Sequence, residues 1–129
     1  MRAPTSIRLA LFAHGSPNPR WADGLAPLVD ALQAELGAGA VRLCFLEHLA
    51  PSLLDVVAEA ATDGIDEVRI LPLFWSGRGH VLRDLPERVA AAAEAHPSVR
   101  VRVLPAAGEQ PGVHHALADL ARAGLGDPP

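Results

Sequence analysis

Four apolar runs, each followed by a segment of helical periodicity, constrain this chain more than any other feature. The runs are Ile7 to Ala13, Val41 to Leu46, Val68 to Phe74, and Val99, Val101 and Val103 alternating with Arg100 and Arg102. After the first, Leu25, Leu28, Val29, Leu32 and Leu36 fall on one helical stripe, and Gly37 is placed to stop it. The second helix carries Leu53, Leu54, Val57, Ala58 and Ala61, with Pro51 in its first turn and Gly64 at its end. The third carries Val81, Leu82, Leu85, Val89 and Ala92 and stops at His96-Pro97. The fourth uses Val113, Leu117, Leu120 and Ala121.

A β-α unit repeated four times predicts an α/β fold with a four-stranded parallel sheet and helices on both faces. Right-handed crossovers, and the half-exposed character of the fourth strand, predict the order 2-1-3-4. Pro72 falls in a strand that this order makes central. A proline cannot donate to the ladder, so regular pairing is expected to end near it.

The chain has 129 residues, half of them apolar. That is enough for one domain over 1–129, with a core over about 7–121 and a frayed tail from 124 to 129. The formal charge is −4 and all 11 basic residues are arginine, with no cluster among them. Nucleic acid is therefore not an expected partner. A single cysteine, Cys44, rules out an internal disulfide or a cysteine metal cage and reads as a buried small hydrophobe. No stretch has the length of a membrane span, and Arg8 interrupts the N-terminal apolar run, so no signal peptide is expected. Cytoplasmic location is the default reading.

Two histidines occupy matching places. The first strand runs into His14-Gly15-Ser16-Pro17, and the third into Trp75-Ser76-Gly77-Arg78-Gly79-His80. In a parallel sheet both loops open on the carboxyl edge, where open α/β sheets bind ligands. Two imidazoles with few carboxylates nearby suit a borderline divalent transition metal better than magnesium or calcium. Glu47 ends the second strand on the same edge, where it reads as a base or metal-side carboxylate. His48 is adjacent and is the alternative in that place, though strand alternation points it elsewhere. Ser16 lacks the elbow of a nucleophilic serine. The Gly77–Gly79 spacing is not that of a phosphate loop, and no lysine is present. Asp84 is placed either to orient His80 or to pair with Arg88, and the pair is the favoured reading. His96, His114 and His115 read as surface residues at helix ends, far from the carboxyl edge.

Phe12-Ala13-His14-Gly15-Ser16, then Phe45-Leu46-Glu47 with Pro51-Ser52, then Leu71-Pro72-Leu73-Phe74 with Gly79-His80 and Asp84-Leu85-Pro86, form an ordered series. Together they resemble the sirohydrochlorin chelatases, the short cobalamin- and sirohaem-type metal-inserting enzymes. The resemblance runs from about Ile7 to Ala121. It implies a single chelatase-like lobe that inserts cobalt, or iron or nickel, into a sirohydrochlorin-type tetrapyrrole. The metal is then a substrate, and no permanently bound cofactor is implied. Long members of the family carry two lobes and short ones pair, so the resemblance implies a homodimer.

The resemblance places metal handling on His14 and His80 and the substrate-side glutamate on Glu47. His14 and Glu47 are the expected catalytic pair. The macrocycle loop falls on Trp75, Ser76, Gly77, Arg78, Gly79 and His80. Trp75-Ser76 departs from the smaller or aliphatic residues common there. Sirohydrochlorin carries eight carboxylates, so a −4 protein needs local guanidinium groups, and Arg20, Arg78 and Arg83 are the candidates. Two other readings stay open: a carrier that binds metal or tetrapyrrole without turnover, and a lobe that partners a larger chelatase.

Overall fold

This computed structural model describes residues 5–76 and 80–126, and for 80–82 the backbone alone. Strands β1 (Ile7–Ala13), β2 (Val41–Phe45), β3 (Glu67–Pro72) and β4 (Arg100–Val103) form one parallel sheet in the order β2-β1-β3-β4. Helices α1 (Ala26–Leu36), α2 (Leu53–Thr62), α3 (His80–Ala95) and α4 (Pro111–Ala123) follow the strands in turn. The predicted topology is therefore the observed one.

Alternation along the strands builds the core. Ala10 and Phe12 of β1, Cys44 of β2, and Val68 and Ile70 of β3 face the same side and pack against α2 and α3. From α2 the buried residues are Leu53, Val56, Val57 and Ala60. This stripe is rotated from the expected one, and Leu54 stands 46% exposed. The spacing 53, 56, 57, 60 is itself a helical face, and contact with the sheet selects it over its neighbour. Leu85 and Ala92 anchor α3. Helix α1 packs on β2, where Gln33 Nε2 donates to the Val41 carbonyl at 3.3 Å.

Several local expectations are corrected. Pro51 is not in the first turn of α2. Ser52 is the N-cap, in a reciprocal capping box with Asp55: Asp55 N donates to Ser52 Oγ at 3.1 Å, and Ser52 N to Asp55 Oδ2 at 2.9 Å. Regular β3 ends at Pro72 as expected, and Leu73 N still donates to the Phe12 carbonyl at 2.8 Å. No residue of α4 is buried. Leu117 and Leu120, expected to face the core, are 40% and 69% exposed. Helix α4 packs chiefly on the short turn Ala107–Glu109 rather than on the sheet, and β4, at the sheet edge, is only four residues long with three of them exposed.

At the amino edge, Arg8 is buried. Its Nε donates to the Gly39 carbonyl at 2.7 Å, and its Nη1 lies 3.0 Å from Asp63 Oδ2 but off the line of a hydrogen bond. Cys44 is fully buried, as expected. Burial pushes its thiol up to about 12, against a smaller lowering by Arg42. Such a thiol is an inert core group.

Candidate functional site

The carboxyl ends of β1 and β2 continue side by side beyond the strands. Leu46 N donates to the Ala13 carbonyl at 2.9 Å, and Glu47 N to the His14 carbonyl at 3.2 Å. This brings His14 and Glu47 together. The approach demands Gly15: at φ +91° a Cβ there would lie 1.9 Å from the Glu47 carbonyl oxygen.

His14 Nδ1 lies 3.1 Å from the Gly15 carbonyl. A carbonyl only accepts, so Nδ1 carries the hydrogen and Nε2 keeps its lone pair in the neutral ring. Nε2 points to Glu47 Oε1 at 3.7 Å, with both side chains a little under half exposed. That gap is too long for a good direct hydrogen bond. It leaves a nitrogen and a carboxylate oxygen converging on the same small space. Ser16 has a structural task. Its Oγ accepts from Asn18 N at 3.1 Å, and Asn18 Oδ1 then accepts from Arg20 N at 3.0 Å to start a 3₁₀ turn.

His48 is the residue that alternation misplaced. It adopts φ +68°, and Leu49 N donates back to the Glu47 carbonyl at 2.9 Å, closing a tight turn around it. The turn breaks the period of two and sets His48 Nε2 3.7 Å from the same Glu47 Oε1. Glu47 thus stands between two imidazoles. A left-handed residue other than glycine costs about 1–2 kcal/mol, and glycine costs about 0.5–1 kcal/mol in lost chain entropy. His48→Gly is therefore expected to raise the melting temperature by a few degrees in a thermal scan. A lower one would show that the imidazole's contacts outweigh the strain.

The described start of the second loop, Phe74 to Ser76, lies against the segment that follows β4. Phe74 packs edge-on against Phe12, with ring centroids 5.7 Å apart. Trp75 is 65% exposed, and Ser76 is half-buried. Gly77, Arg78 and Gly79 lie outside the described residues. His80 begins α3 on the carboxyl edge, as expected, but its side chain also lies outside them. Arg83 is exposed. Arg20 is 87% exposed and 3.6 Å from Asp23, a pairing that holds it only weakly. Among the described residues no ion pair joins Asp84 to Arg88, contrary to expectation. Both are exposed, where such a pair is worth a few tenths of a kcal/mol.

His114 also departs from expectation. It is exposed, but not far from the carboxyl edge: its Nε2 hydrogen-bonds the Gly108 carbonyl, and its ring centroid is 6.0 Å from that of Trp75. The signal was available. A helix that follows a parallel strand starts at the carboxyl edge, so its first turn belongs there.

Among the described residues no three His, Cys, Asp or Glu side chains gather closely enough to hold a metal by themselves. An apolar hollow of about 410 Å³ lies beneath α3, lined by Pro72, Leu85, Pro86, Val89, Val103, Leu104 and Ala106. It has no titratable group, whereas the carboxyl edge brings His14 and Glu47 together.

Fold and edge together define a parallel α/β lobe with a histidine–glutamate pair at its carboxyl edge. Residues 8–123 match the family CbiX, and the chain belongs to it. It is 26% identical over 83% of its length to a sirohydrochlorin ferrochelatase of Priestia megaterium. It is 24% identical over 68% of its length to a sirohydrochlorin cobaltochelatase of Methanopyrus kandleri. It spans 39% of the first relative and 62% of the second. Among solved structures it resembles a putative cobalamin biosynthesis CbiX protein of Marinobacter aquaeolei VT8, with TM-score 0.83 and 25% identity over 94% of this chain and 96% of that one. It also matches the sirohydrochlorin chelatase SirB of Bacillus subtilis subspecies spizizenii in complex with cobalt, with TM-score 0.71 and 23% identity over 91% of this chain and 52% of that one. No described helix is long and apolar enough to cross a membrane.

Proposed function

We propose that this chain is a sirohydrochlorin chelatase, inserting a divalent metal into a tetrapyrrole, with cobalt as the first metal to test and iron and nickel next. The observation that carries this reading is the convergence of His14 Nε2 and Glu47 Oε1, 3.7 Å apart, on the carboxyl edge. Insertion of M²⁺ releases two pyrrole N–H protons. The site therefore needs a ligand that holds the metal briefly and a base that takes protons. A neutral imidazole suits cobalt, iron and nickel alike. In this reading His14, with His80, hands over the metal, and Glu47 accepts a proton or holds the ring edge. Relatives named as ferrochelatase and as cobaltochelatase both support the class of reaction.

Trp75 offers a flat apolar face, and the loop Ser76, Gly77, Arg78 and Gly79 meets the ring beside it. Arg20, Arg78 and Arg83 bind its carboxylates. One lobe over 1–129 gives one wall of a site for a wide macrocycle. We therefore place two copies in the working enzyme, related by a two-fold axis. The exposed apolar stripe of α4 supports this, as does the near-doubled length of the SirB chain that this lobe matches. We assign the enzyme to the cytoplasm, with its single buried thiol.

The test is ring selectivity. Purified protein with Co²⁺ should metallate sirohydrochlorin and leave protoporphyrin nearly untouched, followed by absorption. Protoporphyrin has two carboxylates against eight, and a site built for polar groups rejects a ligand lacking them. Equal rates with both rings would overturn the proposed substrate class.

A further inference from the structure

Trp75 presents a large apolar ring to solvent, 65% exposed, at the end of β3. An exposed indole on a loop samples several rotamers unless something fixes it. Here the loop beneath it is clamped. Gly108 N donates to the Phe74 carbonyl at 2.9 Å. A Cβ on Gly108 would lie 2.0 Å from the Trp75 carbonyl oxygen, so the short helical turn at Ala107–Glu109 presses directly on the Trp75 backbone. His114, in the first turn of α4, completes the arrangement. Its Nε2 hydrogen-bonds the Gly108 carbonyl, which only accepts, so Nε2 carries the hydrogen. That bond fixes the imidazole plane at 43° to the indole, with ring centroids 6.0 Å apart. The separation lies within the range over which aromatic rings attract one another.

We infer that His114 is a positioning residue that fixes the Trp75 indole for the macrocycle, linking α4 to the substrate loop through Gly108. The inference rests on the proposed role of Trp75 as the ring-facing surface. The opposing explanation is that His114 only ties down a surface turn through its hydrogen bond. The two differ in which substitutions restore function, because glutamine supplies an N–H to the Gly108 carbonyl but no ring against Trp75.

The experiment uses the full chain with Trp21→Phe, which leaves Trp75 as the sole tryptophan of the two present. Without substrate, His114→Ala should increase acrylamide quenching of Trp75 and lower its fluorescence anisotropy. With sirohydrochlorin and Co²⁺, the same change should raise KM about 2- to 10-fold, the loss of an aromatic pairing, with kcat within about twofold. Losing the bond to the Gly108 carbonyl should lower the melting temperature in His114→Ala, and His114→Gln should restore it while KM stays raised. Unchanged Trp75 quenching and anisotropy in His114→Ala overturns the inference whatever the activity. So does a wild-type KM in His114→Gln, which reduces His114 to a structural tie. If the parent shows no turnover while His114→Ala changes the Trp75 signals, the positioning stands and the chelatase reading fails.

Discussion

Gly15→Ala is expected to lower the melting temperature by about 10–15 °C and to remove most of the activity. Two costs combine. The φ of +91° penalises any Cβ by about 1–2 kcal/mol. The clash with the Glu47 carbonyl, 1.9 Å from the added carbon, forces a backbone shift that costs a further 1–3 kcal/mol or so. For a chain of this size about 3 kcal/mol corresponds to that fall in melting temperature. The shift also separates Glu47 from His14, so activity should fall even well below the melting temperature. Gly64→Ala is the control. Its φ is +74° with nothing within 4 Å of the added carbon, so it should show the conformational cost alone. Equal effects of the two changes would show that the contact between the loops after β1 and β2 yields freely.

His14→Ala is expected to leave the melting temperature nearly unchanged and to reduce metal insertion by about 10²-fold or more, the scale of losing a positioned acid–base or ligand group. The His14 side chain is 43% exposed and fills no core space, so stability should move by less than about 0.5 kcal/mol. Glu47→Gln keeps the shape and removes the charge, and should fall in the same range. If the two act on one metal and one proton, the double variant should lose little more than either single one. Multiplying losses would mean that His14 and Glu47 serve separate steps. His96→Ala is the silent control, at the opposite end of α3. His114→Ala does not serve, because His114 touches the Trp75 loop.

The sheet and its order were legible because four apolar runs and the arginine-spaced fourth strand specify which segments pair and which lies at the edge. Pro72 marked the end of regular pairing because proline has no N–H to give the ladder. The His14–Glu47 meeting was legible only as far as both residues end strands on one edge. The contact itself depends on Gly15 admitting the Glu47 backbone, a tertiary approach that no local pattern encodes. His48 was misplaced because a period of two holds only inside a strand, and β2 ends at Phe45. The face of α2 was misjudged by one step, since Leu54 and Val56 are equally apolar and only the sheet chooses between them. His114 was misassigned by topology rather than chemistry: α4 follows β4, so its first turn lies toward the carboxyl edge, where His14 and Glu47 stand.

Catalytic metal insertion at the His14–Glu47 edge is read out by the number of rings metallated per protein chain. With sirohydrochlorin and Co²⁺ in large excess over protein, and the uncatalysed rate subtracted, the free-base absorption should convert to that of the metallated ring over many turnovers per chain. Conversion that stops at one ring per chain would rule out catalysis and make the protein a carrier.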